Sequence, residues 1–153
     1  MTISRETQKI KNIVQDFFEK MTIFVEVEIK PQQEKTIPID IKTENPQILI
    51  GEGGQTLIEI QRLLKAIIKK ATKEDIFVDL DINDYKKKKI EYLKELAKSA
   101  ADEVVLNKKE KILASMPAYE RRIVHLELAE RKDIATESIG EEPERKIIIK
   151  PLP

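Results

Sequence analysis

Ile48-Leu49-Ile50-Gly51-Glu52-Gly53-Gly54-Gln55-Thr56-Leu57 holds three of the four glycines of a 153-residue chain. Downstream of the cluster, Leu57, Ile60, Leu63, Leu64, Ile67 and Ile68 recur at helical spacing, which predicts a helix with a broad apolar face from about Thr56 to Lys70. A Gly-x-x-Gly turn ahead of a helix lets a phosphate backbone come close, because no side chains obstruct it and the helix N-terminal amides attract anions. The tetrapeptide alone favours a blander reading, a tight turn whose glycines only supply positive φ. A Walker A loop is excluded, since no Gly-Lys-Ser/Thr ending follows. A dinucleotide fingerprint fails as well, on spacing and for want of a parallel βαβ unit around it.

Upstream, Ile10, Ile13, Val14, Phe17 and Phe18 predict a helix from Ser4 to about Phe18, with Ser4 and Glu6 as start signals. Thr22 to Lys30 alternates, with Ile23, Val25, Val27 and Ile29 on one side, which is a strand with one buried face. Pro31 to Lys35 reads as a turn, and Thr36 to Ile41 as a second strand, weakened by Pro38. A third strand, Ile76 to Ile82, follows the helix after the glycines. The order predicts an α+β unit: a three-stranded sheet with helices on one face.

Asn83-Asp84 reads as a helix cap, and residues 83–153 as a second small domain after a first of residues 1–82. A long helix is expected from Tyr85 to about Leu106, cored by Ile90, Leu93, Leu96, Ala97, Ala100, Val104 and Val105. A short strand around Ile112 to Ala114 comes next, then a helix from Tyr119 to Glu130 behind Pro117. Ile134 to Ser138 and Arg145 to Lys150 flank Gly140 and Pro143 as a hairpin, giving helix-strand-helix-strand-strand.

Lys plus Arg and Asp plus Glu each number 28, so the net charge is zero and bulk electrostatic attraction to nucleic acid is weak. The two halves differ little: residues 1–82 carry 12 basic and 14 acidic side chains, the remainder 16 and 14. Any nucleic-acid site must be local. Cysteine is absent, which removes disulfides, thiol catalysis and thiolate metal sites. The polar start and the lack of a long apolar run predict a cytoplasmic protein without membrane insertion. No nucleophile with an activating base is apparent, and one histidine without cysteine leaves most catalytic arrangements and metal sites short of parts. The expectation is a protein without catalytic residues, metal or cofactor.

His125, the single histidine, lies four residues after Arg121, so both side chains leave one face of the same helix. A guanidinium beside an imidazole can grip a phosphate, or stack under a base while donating hydrogen bonds. A surface arginine beside a structural histidine is the commoner fate of that spacing. Tyr119 is expected in the core from its spacing to Ile123, and Glu141-Glu142, with no base, histidine or metal ligand nearby in sequence, on a turn surface. Lys86 to Lys89 is either a solvated face or an extension of an RNA track.

The glycine segment and its element order resemble the GXXG loop of a type II KH domain, whose members clamp about four nucleotides of single strand. That resemblance implies Gly51, Glu52, Gly53 and Gly54 as nucleic-acid contacts. Glu52 and Gly53 depart from the family, which usually has Lys or Arg between the glycines; a carboxylate there opposes phosphate by roughly 1 kcal/mol. Ser115-Met116-Pro117-Ala118-Tyr119-Glu120-Arg121-Arg122-Ile123-Val124-His125-Leu126 resembles the signature of the arginine-xxx-histidine domain, and Thr136 to Ile147 its hairpin. That domain binds single-stranded nucleic acid, which implies Arg121 and His125 as central contacts, with Arg122 and Arg145 extending them.

A KH domain followed directly by this one is similar to the bacterial Jag family of SpoIIIJ-associated proteins. The likeness runs from about residue 4 to residue 150 and lacks the N-terminal Jag domain that typical members carry. It implies an RNA-binding regulator whose partners are single-stranded RNA, with single-stranded DNA left open, and a smaller KH protein. Arg121→Ala and His125→Ala are then each expected to weaken RNA binding without lowering the melting temperature. Glu52 and the zero net charge favour a protein-protein adaptor as the second reading. An RNA hydrolase is a distant third.

Overall fold

The structure is a computed structural model describing residues 4–153. The chain divides into two compact units, the first extending to Lys86 and the second being Lys87–Pro153.

The first unit runs α1 (Arg5–Lys20), β1 (Glu26–Ile29), β2 (Thr36–Lys42), α2 (Pro46–Ile50), a single 3-10 turn (Glu52–Gly54), α3 (Gln55–Thr72) and β3 (Phe77–Ile82). Ser4 starts α1 by accepting a hydrogen bond from the Thr7 backbone N–H at 3.1 Å. Ile10, Val14 and Phe18 then face inward at four-residue intervals. The sheet order is β1-β2-β3, with β1 antiparallel and β3 parallel to the central strand. Ile37, Ile39 and Ile41 of β2 and Val78, Leu80 and Ile82 of β3 are buried against the helices. Asp40, Asp79 and Asp81 alternate with them and take the other face.

Pro38 sits in the central strand, where a missing donor would ordinarily break the ladder. Its carbonyl accepts from Lys30 N–H at 3.0 Å, which is the β1 side. Because N–H and C=O of one strand residue point the same way, the absent donor faces the end of β1, where that strand is already turning away. Pairing with β3 is untouched.

On α3, Leu57, Ile60, Leu64 and Ile68 are buried. Leu63 and Ile67, expected on the same face, are 54% and 39% exposed, so the buried stripe is narrower than the apolar one. The Gln61 side chain accepts from Leu80 N–H at 3.0 Å and so occupies one of the donors on the open edge of β3.

Asn83 serves the sheet and not a helix cap. Its side-chain amide accepts from Thr43 N–H at 2.9 Å and donates to Thr43 C=O at 2.8 Å. The acceptor at the start of α4 (Tyr85–Asn107) is Asp81, which receives Lys86 N–H at 3.1 Å. Tyr85 and Lys86, the first two residues of α4, belong with the first unit.

The second unit contains the rest of α4, then β4 (Lys111–Ile112), α5 (Ala118–Leu128), β5 (Ile134–Ile139) and β6 (Lys146–Pro151). The sheet order is β4-β6-β5, both pairings antiparallel. Leu93, Ala97, Ala100, Ala101 and Val104 of α4 pack with Val124, Leu128, Ile134, Ile147 and Ile149. Three alanines in the stripe keep that contact close. Val105, expected inward, is 38% exposed, and Ala101 takes the inward position instead.

Candidate nucleic-acid interface

The inward residues of α5 are Arg121, Val124 and Leu128, spaced three and four apart. An arginine therefore occupies a core position. Its relative exposure is 7%, and it is the one buried charged side chain among the described residues. Such a guanidinium needs partners on the spot. Nη1 donates to Met116 C=O at 2.7 Å, across the Pro117 turn that starts the helix. Nη2 donates to Glu142 Oε1 at 2.6 Å, on the turn joining β5 and β6. Glu142 lies exposed on its turn as expected and finds its partner 21 residues away, and removal of Arg121 is expected to cost stability, contrary to the expectation from the sequence.

His125, one helical turn on, is half-buried and held from both sides by β5. Nδ1 lies 2.8 Å from Thr136 Oγ1, and Nε2 lies 2.8 Å from Ser138 Oγ. Thr136 and Ser138 are two apart on a strand, so their hydroxyls share a face. Each hydroxyl donates or accepts as required, so the cage suits either neutral tautomer and the imidazolium alike. The pKa of His125 is nonetheless lowered from its ordinary value, first by burial and then by the nearby Arg121 charge. Arg121 and His125 thus present one full positive charge beside one neutral, oriented imidazole near neutral pH.

The sign of that shift gives a prediction. The unfolded chain binds a proton at His125 more readily than the folded one, so this residue makes stability fall as pH drops below about 6.5. The loss continues until pH passes the lowered folded pKa. Melting temperature measured from pH 7.5 to 5.5 should decline more steeply for wild type than for His125→Gln. Parallel profiles would contradict this assignment.

Arg122 is exposed and forms no ion pair among the described residues. Arg145 closes the β5–β6 turn instead of reaching outward: Nη1 donates to Gly140 C=O at 2.6 Å and Nη2 to Ser138 C=O at 3.3 Å. Tyr119 is 59% exposed and not in the core as expected. It precedes Arg121 by two residues, roughly 200° around the helix from the inward side. Tyr119, Arg122 and Leu126, at helical spacing, make the outer face of α5, with Leu126 63% exposed. The acids of this helix are neutralised locally, Glu120 by Lys89 at 3.7 Å and Glu127 by Lys98 at 3.4 Å. Arg122 is left as its unpaired charge.

In the first unit the glycine loop is shaped by backbone conformation. Gly51 has φ 73° and ψ −179°, and a β-carbon there would lie 2.1 Å from Thr56 Oγ1. Gly53 has φ 61° and open space around it. Gly54 is buried, and a β-carbon on it would meet the Tyr85 ring at 3.1 Å. No side chain caps α3, whose N-cap is Gly54. Glu52 is exposed in the same loop. Of the basic run after it, Lys86 is tied to Asp79 at 2.6 Å, while Lys87 and Lys88 are exposed.

Sequence reasoning missed Glu142, Thr136 and Ser138. The alternation of Thr136 and Ser138 on one strand face was a usable signal. For Glu142 there was none, because 21 residues separate it from Arg121.

Residues 9–90 match the KH domain family and residues 91–151 the arginine-xxx-histidine domain family. The chain is 36% identical over 148 residues to an RNA-binding protein KhpB of Clostridium symbiosum, covering 95% of this chain and 67% of that one. It is 33% identical over 120 residues to the KhpB of Bacillus subtilis, covering 77% and 58%. With the KhpB of Lactiplantibacillus plantarum the identity is 32% over 111 residues, covering 72% and 34%. The chain thus spans from about a third to two thirds of these relatives.

Proposed function

Because the chain belongs to the KhpB (Jag) family, a KH domain followed by an arginine-xxx-histidine domain, we propose that it binds single-stranded RNA without acting on it chemically. The observation that carries this reading is the guanidinium of Arg121, held by Met116 C=O and paired with the exposed carboxylate of Glu142, with the His125 imidazole one turn away. A guanidinium that holds a carboxylate oxygen can hold a phosphate oxygen through the same N–H···O geometry. Arg122 and Tyr119 widen the site on the outer face of α5, as an unpaired cation beside an exposed ring. The glycine loop of the first unit supplies a second, weaker site. Two weak sites on one chain reach useful affinity through effective concentration, which offsets the zero net charge. Among the described residues no helix is long and apolar enough to cross a membrane. We place the protein in the cytoplasm with RNA, and a smaller KH protein as its protein partner.

Anisotropy titration of labelled single-stranded RNA and DNA pools at two salt concentrations tests this reading. Wild type should bind RNA at micromolar concentration or better, more weakly at high salt. Arg122→Ala should weaken binding uniformly across sequences and reduce the log–log salt slope by about 1, with the melting temperature unchanged. Identical affinity and slope would remove Arg122 from the site.

A further inference from the structure

We infer that the carboxylate of Glu142 occupies the phosphate seat of Arg121, so that nucleic acid binds the second unit by exchange with an internal anion. The inference rests on the RNA-binding reading above and names the residue that limits affinity at that site.

Arg121 has little freedom. Its side chain is 9% exposed, and Nη1 is anchored at 2.7 Å to Met116 C=O. The other amine, Nη2, carries Glu142 Oε1 at 2.6 Å, the one acidic group paired with this guanidinium among the described residues. Carboxylate and phosphate oxygens meet a guanidinium through the same N–H···O geometry. A phosphate oxygen that takes up the Nη2 donor now given to Glu142 displaces that carboxylate.

Glu142 is built to leave. Its side chain is 56% exposed, whereas the arginine it pairs with is buried. The turn is held by other groups: Glu144 N–H donates to Glu141 C=O at 2.9 Å, and Arg145 donates to Gly140 and Ser138 carbonyls at 2.6 and 3.3 Å. None of these bonds uses the Glu142 side chain, so it can rotate outward with the hairpin intact. Departure without replacement would strand a buried charge, which is costly. The exchange is accordingly coupled, one anion arriving as the other leaves. Glu141 and Glu144, both exposed on the same turn, add repulsion toward a phosphate chain.

The test compares Glu142→Gln with Glu144→Gln in the full chain. Both remove one negative charge from the same turn, but only the first touches Arg121. The glutamine oxygen still accepts from Nη2, so the fold should hold, and melting temperatures check this. Glu142→Gln should tighten binding of single-stranded RNA by about tenfold at 0.1 M salt and steepen the log–log salt slope by about 1, since Arg121 then neutralises a phosphate without releasing a carboxylate. Glu144→Gln should gain at most twofold to threefold and leave the slope nearly unchanged. Equal gains would show only general repulsion and overturn the exchange. Weaker binding by Glu142→Gln would overturn it too, making Glu142 a support for Arg121. Wild type failing to bind while Glu142→Gln binds would support it in its strongest form. If neither binds, the RNA-binding reading itself falls, and the exchange with it.

Discussion

Gly51→Ala is expected to destabilise the first unit by about 3 kcal/mol, a fall in melting temperature on the order of 15 °C for a domain of this size. The backbone at Gly51, φ 73° and ψ −179°, lies in a region that only glycine occupies readily. Space is lacking as well. The new methyl would stand 2.1 Å from Thr56 Oγ1, 2.8 Å from Thr56 Cβ and 3.0 Å from Thr56 N. Rotating the hydroxyl away relieves the first contact, but the other two belong to the start of α3. Gly53→Ala is the control. Gly53 has φ 61° and ψ 18°, a left-handed conformation that costs other residues about 1 kcal/mol, and nothing lies within 4 Å of its added carbon. Differential scanning calorimetry of the two variants should separate them clearly. Equal losses, or a silent Gly51→Ala, would show that the loop is not built as described.

Arg121→Ala is expected to lower both stability and RNA affinity. It removes the donor to Met116 C=O, frees Glu142 and leaves a void beneath α5. A hydrogen bond from a charged donor to a buried acceptor contributes about 1.5–3 kcal/mol, and because the substitution removes the buried guanidinium itself no charge is left stranded, so a loss of about 2 kcal/mol is expected. RNA affinity should fall at least tenfold. Arg121→Lys separates the two effects: one ammonium keeps the charge but cannot reproduce the forked contact with Met116 and a phosphate together. Its affinity should lie between those of wild type and Arg121→Ala. A fully stable Arg121→Ala with wild-type affinity would remove both roles at once.

The fold was legible in the sequence wherever one periodicity ruled. Val27, Ile37, Ile39, Ile41, Val78, Leu80 and Ile82 alternate with polar residues and are buried as expected. Leu57, Ile60, Leu64 and Ile68 mark their helix face in the same way. Reading failed where tertiary partners decide. Asn83 looked like a helix cap because capping is the local use of asparagine, yet its amide is drawn to Thr43, 40 residues away. Tyr119 looked like core from its spacing to Ile123, but the side of α5 that turns inward carries Arg121, Val124 and Leu128. The site was half legible. The spacing of Arg121 and His125 was visible, and so was the glycine loop. What the sequence hid is that Arg121 is buried and already satisfied, a fact that depends on a turn from elsewhere in the chain. Arg145 was similarly out of reach of sequence reasoning, because its bonds go to main-chain carbonyls that no residue type announces.

Single-stranded RNA is expected to seat on the second unit at Arg121 and His125, with the glycine loop as a lesser contact. Titration of nitrogen-15-labelled full chain with a short single-stranded RNA, followed by amide resonances, tests it most directly. Shifts are expected to concentrate at residues 116–126, on Thr136 and Ser138, and on the turn 140–145, with smaller shifts at 51–56. The side-chain resonance of Arg121 should move as Glu142 is displaced. Shifts confined to other surfaces, or none at millimolar RNA, would contradict the account and turn attention to a protein partner.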